Sequence, residues 1–460
     1  MPGTKRYSID MCNGPLGSSV LRFALPLMFA TIIQLLFNAA DVVVVGKYVS
    51  ATAQGAVTST GSLNNLLIGV FSGLSVGVNV IVARALGEGN ESRIGTVTHT
   101  AVTLAIMGGV GLMVVGEVLA PAILRIMGSP AEVIGLSTIY LRVEFIGLPG
   151  TLLYNFGSAL LRARGDTKRP MYFLTFSGAV NVVLNLIFVV GFHWGVAGVA
   201  AATAISKYIS ALLVLSCLRV ETGPMHLNLH QLGVDRGVLR DIVRIGLPAG
   251  VQGSMFSLSN VTLQASVNSL GAMAVAGVGA AASIGGFVYT TGNAFYQAAM
   301  TFTSQNYGAG KFDRIGKIHR WCLLFGALFP LTLGVLGWVF RDALLHLYLN
   351  AEETEAIAWG SLRISCVLVF YCLSGVMEVN SGMMRGIGYS VLPMVVTMLG
   401  TCVLRVGWAM FVFPLKPTLE VLSACLPLSW AVTGLVHLIC YLFLRKRAFV
   451  RRSAELAAQV

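Results

Sequence analysis

The chain has 460 residues, of which 56% are hydrophobic and only 11% are charged, and its formal net charge is +12. About a quarter of the residues of a soluble protein are charged, so this composition excludes a soluble globular protein and indicates a polytopic membrane protein. The positive charge does not indicate nucleic-acid binding, because the basic residues lie in short connections between apolar segments, as they do in cytoplasmic loops.

The first apolar segment, residues 20–46, has an acid in its far half. About 20 apolar residues are enough to cross a bilayer as a helix, and residues 42–45 continue the apolar run beyond Asp41. A lone acid in hydrocarbon is costly and usually faces a cavity or a partner. Asp41 is therefore either a transport-site acid or a residue that bonds a neighbouring helix and only holds the bundle together.

Twelve apolar segments follow one another along the chain. They lie near residues 20–46, 56–83, 97–119, 138–161, 171–192, 196–218, 243–268, 273–304, 321–340, 359–384, 393–413 and 421–444. With the N-terminus placed in the cytoplasm, 23 of the 31 Lys and Arg lie on the cytoplasmic side, and only Lys47, Arg125, Arg341 and Lys416 lie in outer connections. The positive-inside rule therefore predicts a multi-pass protein of the cell membrane with both termini in the cytoplasm.

The sequence repeats itself after about 222 residues. LRFALP, ending at Pro26, matches VRIGLP, ending at Pro248, and the loop GEGNESRIG from Gly87 matches GAGKFDRIG from Gly308. A third pair, LLRARGDTKRPM and MMRGIGYSVLPM, has nearly the same offset. Since six crossings is an even number, both halves enter from the same face. We expect an all-α polytopic membrane protein with twelve transmembrane helices in two six-helix lobes, related by a pseudo-two-fold axis along the membrane normal.

The repeat also predicts the domain organisation. We expect an N-terminal lobe over residues 1–218, a cytoplasmic linker over 219–242, a C-terminal lobe over 243–445 and a basic cytoplasmic tail over 446–460. The linker is polar and carries His226 and His230. Two histidines are too few ligands for a metal site, so the linker is expected to form a surface helix along the membrane.

Eight ionisable side chains lie inside apolar segments. They are Asp41, Arg142, Glu144 and Lys207 in the first half and Arg363, Glu378, Arg405 and His437 in the second. Arg142 is expected to reach the headgroups or to pair with Glu144. Lys207 is either an inward-facing partner of an acid or a residue that reaches the headgroups. Arg405 lies mid-span, and Glu378 is either its structural counter-ion or a second coupling acid.

Motifs in the first half carry a family resemblance. LPLMFATIIQLLFNAADVVVVG, VARALGEGNESRIG, LLRARGDTKRP, NVVLN and GVAGVAAATAIS follow one another in this order. Together with the twelve segments and the internal repeat, they resemble the multidrug and toxic compound extrusion (MATE) family over essentially the whole chain. The resemblance implies two six-helix lobes around a central cleft. It also implies an antiporter that exports organic cations and drugs in exchange for H⁺ or Na⁺ by alternating access, as the lobes rock.

The resemblance implies a site in the first lobe. The first-span acid of the family falls on Asp41, and the polar residues around that acid are similar to Tyr140, Asn181, Asn185 and Thr203. Many members with this cluster have aspartate where this chain has Asn185, so Asp41 is expected to be the only acid of the cluster. In the second lobe the candidate is Glu378.

The chemistry of an acid in such a cluster suits cation exchange. Burial disfavours the charged form of a carboxyl group, while hydrogen-bond donors favour it, so one acid can exchange a proton for a cation. The oxygen atoms of Asp41, Asn181, Asn185 and Thr203 also suit Na⁺, a hard cation. We expect no cofactor besides the coupling ion, H⁺ or Na⁺, and no other metal site.

Other functions are less consistent with the sequence. The alternative is a lipid-linked sugar or lipid flippase of a related exporter family, which needs several basic residues in its cleft. There is no HExxH motif, no Walker-type GxxxxGK[ST] motif and no arrangement of a nucleophile and a histidine, so we expect no enzyme. The expected partners are the lipid bilayer and small organic cations, not nucleic acid, and the protein is expected to be a monomer.

Overall fold

The computed structural model describes residues 7–126 and 131–458, with side chains throughout except at residues 51, 52, 54–68, 123, 126 and 131–133. All regular structure in these two ranges is helical. The helices of the first half are α1 (Leu16–Tyr48), α2 (Ala51–Glu88), α3 (Glu91–Ile126), α4 (Ala131–Ile146), α5 (Leu148–Ala163), α6 (Lys168–Asn185) and α7 (Gly195–Val220). A π-helical segment, Leu186–Gly191, continues α6.

The second half has the same character. Its helices are α8 (Arg236–Asn268), α9 (Ala272–Gly308), α10 (Phe312–Val339), α11 (Arg341–Leu345), α12 (Thr354–Val367), α13 (Tyr371–Gly386), α14 (Val391–Thr397), α15 (Leu404–Gly407) and α16 (Leu419–Ala457). The π-helical segment Met398–Val403 joins α14 to α15, and a second one, Trp408–Val412, continues the same span after α15. The prediction of an all-α polytopic membrane protein is confirmed.

Ten helical stretches of the described chain are long and apolar enough to cross a membrane. They coincide with ten of the twelve predicted spans. The fourth predicted span is divided into α4 and α5 at Gly147, directly before the Leu148–Pro149 start of α5. The seventh corresponds to α8, which is less apolar because polar residues such as Gln252 and Asn268 lie along it.

The chain forms two compact units. The first contains Phe29–Gly250, and the second contains Asp10–Met28 and Val251–Val460. Both α1 and α8 therefore change unit two residues after a proline, Pro26 or Pro248. These limits differ from the predicted domains, because the first half of α1 belongs to the second unit and the whole linker belongs to the first.

The linker does not form the predicted surface helix, and that expectation is wrong. Residues 236–242 are already the start of α8, and the only helical turn between α7 and α8 is a 3₁₀ turn, Leu229–Gln231. The backbone N–H groups of the linker bond instead to side chains of α3: Asn228 N donates to His99 Nε2 at 3.1 Å and Asp235 N donates to Thr100 Oγ1 at 3.2 Å. The tail is likewise not separate, because α16 extends through it and Arg452 donates to the Gly308 carbonyl at 2.9 Å.

Each unit has its own apolar core. In the first unit, buried side chains of α2, α3, α5 and α7 pack together, among them Val78, Val97, Phe156 and Val214. In the second unit α9 packs against α10, α12 and α13. The core of the first unit includes Val214 and Leu218 of α7, the helix that also carries Thr203.

Candidate functional site

Asp41 is buried in the first unit and bonds to α6 and α7. Only 7% of its surface is exposed. Its Oδ1 accepts a hydrogen bond from Asn185 Nδ2 at 2.5 Å, and its Oδ2 accepts one from the Thr203 hydroxyl at 3.3 Å. The acid of the first span is therefore surrounded by neutral donors from two other helices.

Asn181 completes this group of donors. With its amide nitrogen turned towards Asp41, Asn181 donates to Oδ1 at 2.9 Å, and its carbonyl oxygen accepts from the Thr203 backbone N–H at 3.3 Å. This orientation satisfies both ends of the amide, which is the criterion for assigning it. Asn181 and Asn185 lie four residues apart on α6, so they project from one face of the helix.

Asn185 lies at the end of α6, where the helix widens into the π-helical segment Leu186–Gly191. Such segments occur often at functional sites. The side chain of Asn185 is fully buried, and its Oδ1 accepts no hydrogen bond from any described residue. An acceptor oxygen that has no donor lies next to a carboxylate, which is a set of atoms that suits a cation.

Tyr140, the fifth predicted residue, is placed differently. It packs on the apolar cluster that contains Val44, Val45, Val189 and Val199. Among the described contacts it makes no hydrogen bond to Asp41. The structure thus brings together Asp41, Asn181, Asn185 and Thr203 and leaves Tyr140 at their apolar side.

A small cavity of about 90 Å³ lies beside Asp41. Its polar lining consists of Gln34, Asn38 and Asp41 from α1, Ser177 and Asn181 from α6, and Thr203, Ser206, Lys207 and Ser210 from α7. Pockets for drug-sized molecules measure about 300–1,000 Å³, whereas one water takes up about 30 Å³. In this structure the cavity therefore has room for an ion with a few waters and no room for a drug.

A second acid lies close to this cavity. Lys207 Nζ forms a salt bridge with Glu144 Oε2, and the Glu144 side chain is 2% exposed. Of the two alternatives for Arg142, the pair with Glu144 is wrong, because Arg142 Nε lies 3.7 Å from Glu117 Oε2 on α3. Of the two alternatives for Lys207, the structure therefore shows the inward-facing partner of an acid.

The ionisable residues of the second unit do not form a matching cluster. Glu378 lies in a narrow pocket with Tyr289, Asn293 and Ser374. Arg405 does not pair with it. Its Nε donates to the Ser429 hydroxyl at 3.0 Å, and its guanidinium group lies over aromatic rings of Phe256 and Trp430. The proposed role of Glu378 as the counter-ion of Arg405 is therefore wrong.

Sequence reasoning missed several cavity residues. Gln34, Asn38 and Asp41 follow one another at helical spacing on α1, so the three share a face, and this pattern was visible in the sequence. The same spacing relates Thr203 to Lys207 on α7. The partner of Lys207 was not visible, because it depends on how α4 is rotated about its axis.

Comparisons with known proteins agree with this architecture. The MatE family model matches residues 26–187 and 248–411, one match in each half of the chain. A probable multidrug resistance protein, YoeA of Bacillus subtilis (strain 168), is 30% identical over 443 residues, covering 94% of this chain and 95% of that protein. The multidrug export protein MepA of Staphylococcus aureus (strain MSSA476) is 21% identical and covers 82% of this chain and 83% of its own.

Solved structures show the same fold. A transporter of the MOP superfamily from Pyrococcus furiosus Vc1 (DSM3638) superimposes with a TM-score of 0.89 at 22% identity, over 95% of this chain and 98% of the other. An outward-facing multidrug resistance transporter of the same superfamily gives a TM-score of 0.87 at 22% identity, over 97% and 99% of the two chains. The likeness extends over both halves of the chain.

Proposed function

This chain belongs to the MatE family of multidrug efflux transporters, and we propose that it is a secondary active antiporter that exports organic cations in exchange for H⁺ or Na⁺. The observation that carries the proposal is the surrounding of Asp41. A buried carboxyl group with neutral donors from Asn181, Asn185 and Thr203 is stable with a proton or with a small cation.

The geometry supports a site for the coupling ion. Asp41, the unpaired Oδ1 of Asn185 and the Thr203 hydroxyl supply oxygen atoms of the kind that Na⁺ prefers, and a protonated Asp41 can donate its proton to the same amide oxygen. The cavity beside them is ion-sized. The organic cation then binds at a linked place when the lobes open, and ion and drug exclude each other by charge.

The energy of one coupling ion is sufficient for efflux. One charge that crosses a potential of 100 mV supplies about 2.3 kcal/mol. Since about 1.4 kcal/mol corresponds to a factor of ten, this energy sustains a drug gradient of roughly 40-fold. The transporter needs no nucleotide for such a gradient.

We place the protein in the cell membrane with both termini in the cytoplasm. The support is the distribution of charge, since 23 of the 31 Lys and Arg lie in connections on the side of the N-terminus.

We also propose Glu378 as a second protonatable group, because its pocket with Tyr289 and Asn293 lacks Arg405. A flippase is disfavoured at the Asp41 cavity, where Lys207 is the one basic residue of the described lining and already pairs with Glu144.

Transport of ethidium, a fluorescent organic cation, into inverted membrane vesicles tests the proposal. Imposed proton and sodium gradients are compared for the wild type, Asp41→Asn and Asp342→Asn, a matched control at an exposed acid of α11. We expect the wild type and the control to accumulate ethidium with one of the two gradients and Asp41→Asn to lose that accumulation. Unchanged accumulation in Asp41→Asn would remove this acid from the mechanism.

A further inference from the structure

Three ionisable side chains, Asp41, Glu144 and Lys207, lie at or beside one small cavity of the first unit. Lys207 Nζ bonds to Glu144, yet Lys207 also lines the cavity together with Asp41. Two acids and one ammonium group carry a net charge of −1 when all three are ionised. The site as a whole is therefore one positive charge short of neutrality, whichever acid the lysine faces.

The helix geometry allows Lys207 to serve either acid. Thr203, which bonds Asp41, lies four residues before Lys207 on α7. Side chains at this spacing lie on one face with Cβ atoms about 5–6 Å apart. The lysine ammonium is a point charge on a flexible four-carbon stem, and Lys207 lines the same cavity as Asp41 and Thr203.

We propose that Lys207 is shared between Asp41 and Glu144, so that Glu144 is the second acid of the coupling site and the three groups together take up one monovalent cation. The proposal deepens the antiport proposed above and rests on it. When Lys207 pairs with Glu144, Asp41 holds the proton, Na⁺ or substrate charge. When Lys207 pairs with Asp41, that charge moves to Glu144.

The reason for sharing is that an unpaired buried ion strongly destabilises a protein. Lys207 neutralises one of the two buried acids at all times, and the transported cation neutralises the other. The other side chains that the structure describes around Asp41 and Lys207 are neutral, among them the amides of Asn181 and Asn185 on α6 and the hydroxyl of Thr203 on α7. The next charged pair, Glu117 with Arg142, connects α3 and α4.

Charge counting gives an asymmetric set of expectations for substitutions. Glu144→Gln leaves Asp41 and Lys207 to neutralise each other, so the site no longer takes up a cation. The double variant Glu144→Gln, Lys207→Gln leaves Asp41 alone with its net charge of −1, so uptake returns. If the Lys207–Glu144 salt bridge only holds α4 to α7, Asp41 should react with a carboxyl reagent in Glu144→Gln as it does in the wild type.

Labelling with dicyclohexylcarbodiimide, which adds to protonated carboxyl groups in apolar surroundings, measures whether Asp41 is protonated or paired with Lys207. The purified protein is labelled in detergent, and peptide mass spectrometry quantifies the labelled Asp41. We expect Asp41 labelling to fall at least about ten-fold in Glu144→Gln, as an ion-pair stabilisation of about 1.4 kcal/mol implies, and to return in the double variant. Glu117→Gln with Arg142→Gln is the matched control and leaves the labelling unchanged. Labelling of Asp41 that is unaffected by Glu144→Gln overturns the proposal.

A second measurement uses the wild type alone. The carbodiimide-activated carboxyl group forms an amide with a neighbouring lysine, while the reagent takes up the elements of water and leaves as its urea. We expect cross-links from Lys207 to both Asp41 and Glu144, and a cross-link to Glu144 alone overturns the sharing. If both chemical results hold while Asp41→Asn still accumulates ethidium, the antiport proposal fails and the shared lysine stands. If Asp41→Asn loses ethidium accumulation but Lys207 cross-links to Glu144 alone, the antiport proposal stands and only the sharing of Lys207 is rejected.

Discussion

Asn185 has two polar atoms with different surroundings. Its Nδ2 donates to Asp41 at 2.5 Å, whereas its Oδ1 is buried without a donor. An aspartate at this position would place two acids in direct contact. With asparagine, the cluster has a single carboxylate and gains a donor that stabilises its charged form.

We expect Asn185→Leu to weaken gradient-driven ethidium accumulation by about 10- to 100-fold, because a hydrogen bond to a charged group contributes about 1.5–3 kcal/mol. Leucine has a similar volume and removes both polar atoms. The rate of ethidium accumulation in vesicles therefore measures the effect of losing the donor to Asp41. Ser210→Ala is the control. Ser210 lines the same cavity, but its hydroxyl donates to the Lys207 carbonyl at 2.8 Å. Full activity of Asn185→Leu would show that Asp41 does not need this donor.

At the scale of whole elements, α2 and the first half of α8 pack backbone against backbone. A Cβ atom added to Gly73 would lie 2.1 Å from Gly250 N, and one added to Gly246 would lie 2.5 Å from Leu74 Cα. Both distances are far below van der Waals contact. Small residues are therefore required on both helices, as at other close helix contacts in membranes.

The variants Gly73→Ala and Gly246→Ala are expected to lower the apparent melting temperature of the purified protein, since the helices have to move apart to admit a methyl group. Overpacking of this kind costs about 1–3 kcal/mol. Gly253→Ala is the matched control on α8, because a Cβ there has no atom within 4 Å. Equal melting temperatures for Gly246→Ala and Gly253→Ala would contradict the close contact.

The elements were more predictable than their pairings. Apolar length predicted the spans, and charge at the loops predicted their ends, because both are local properties of the sequence. The polar partners of Asp41 on α6 and α7 followed from the family resemblance. The Lys207–Glu144 pair and the interrupted fourth span did not follow, since each depends on the rotation of α4 and on packing at Gly147. The linker was mispredicted because its partners, His99 and Thr100, lie far away in sequence.

At the scale of the whole molecule, the two halves of the sequence exchange half a helix each. The first half of α1 belongs to the second unit, where Phe23 is buried and its ring lies 5.5 Å from that of Phe302. Asn306 Nδ2 donates to the Met11 carbonyl at 3.0 Å in the same unit. The first half of α8 belongs to the first unit, where Asp241 pairs with Arg93 at 2.8 Å. Each unit is therefore incomplete without residues from the other half of the sequence.

A split of the chain in the linker tests this exchange. Residues 1–233 expressed alone lack the part of α8 that covers Gly73 and Gly77, and residues 234–460 lack Phe23 and Met11. Burial of one phenylalanine contributes about 1.5–3 kcal/mol, so neither fragment should fold stably in the membrane. We expect both to be cleaved rapidly by added trypsin and to become resistant, and to co-purify on one affinity tag, when they are expressed together. Residues 1–250, which keep the first half of α8, are the control and should resist trypsin better than residues 1–233. Equal resistance of these two fragments would show that the first half of α8 is dispensable for the first unit.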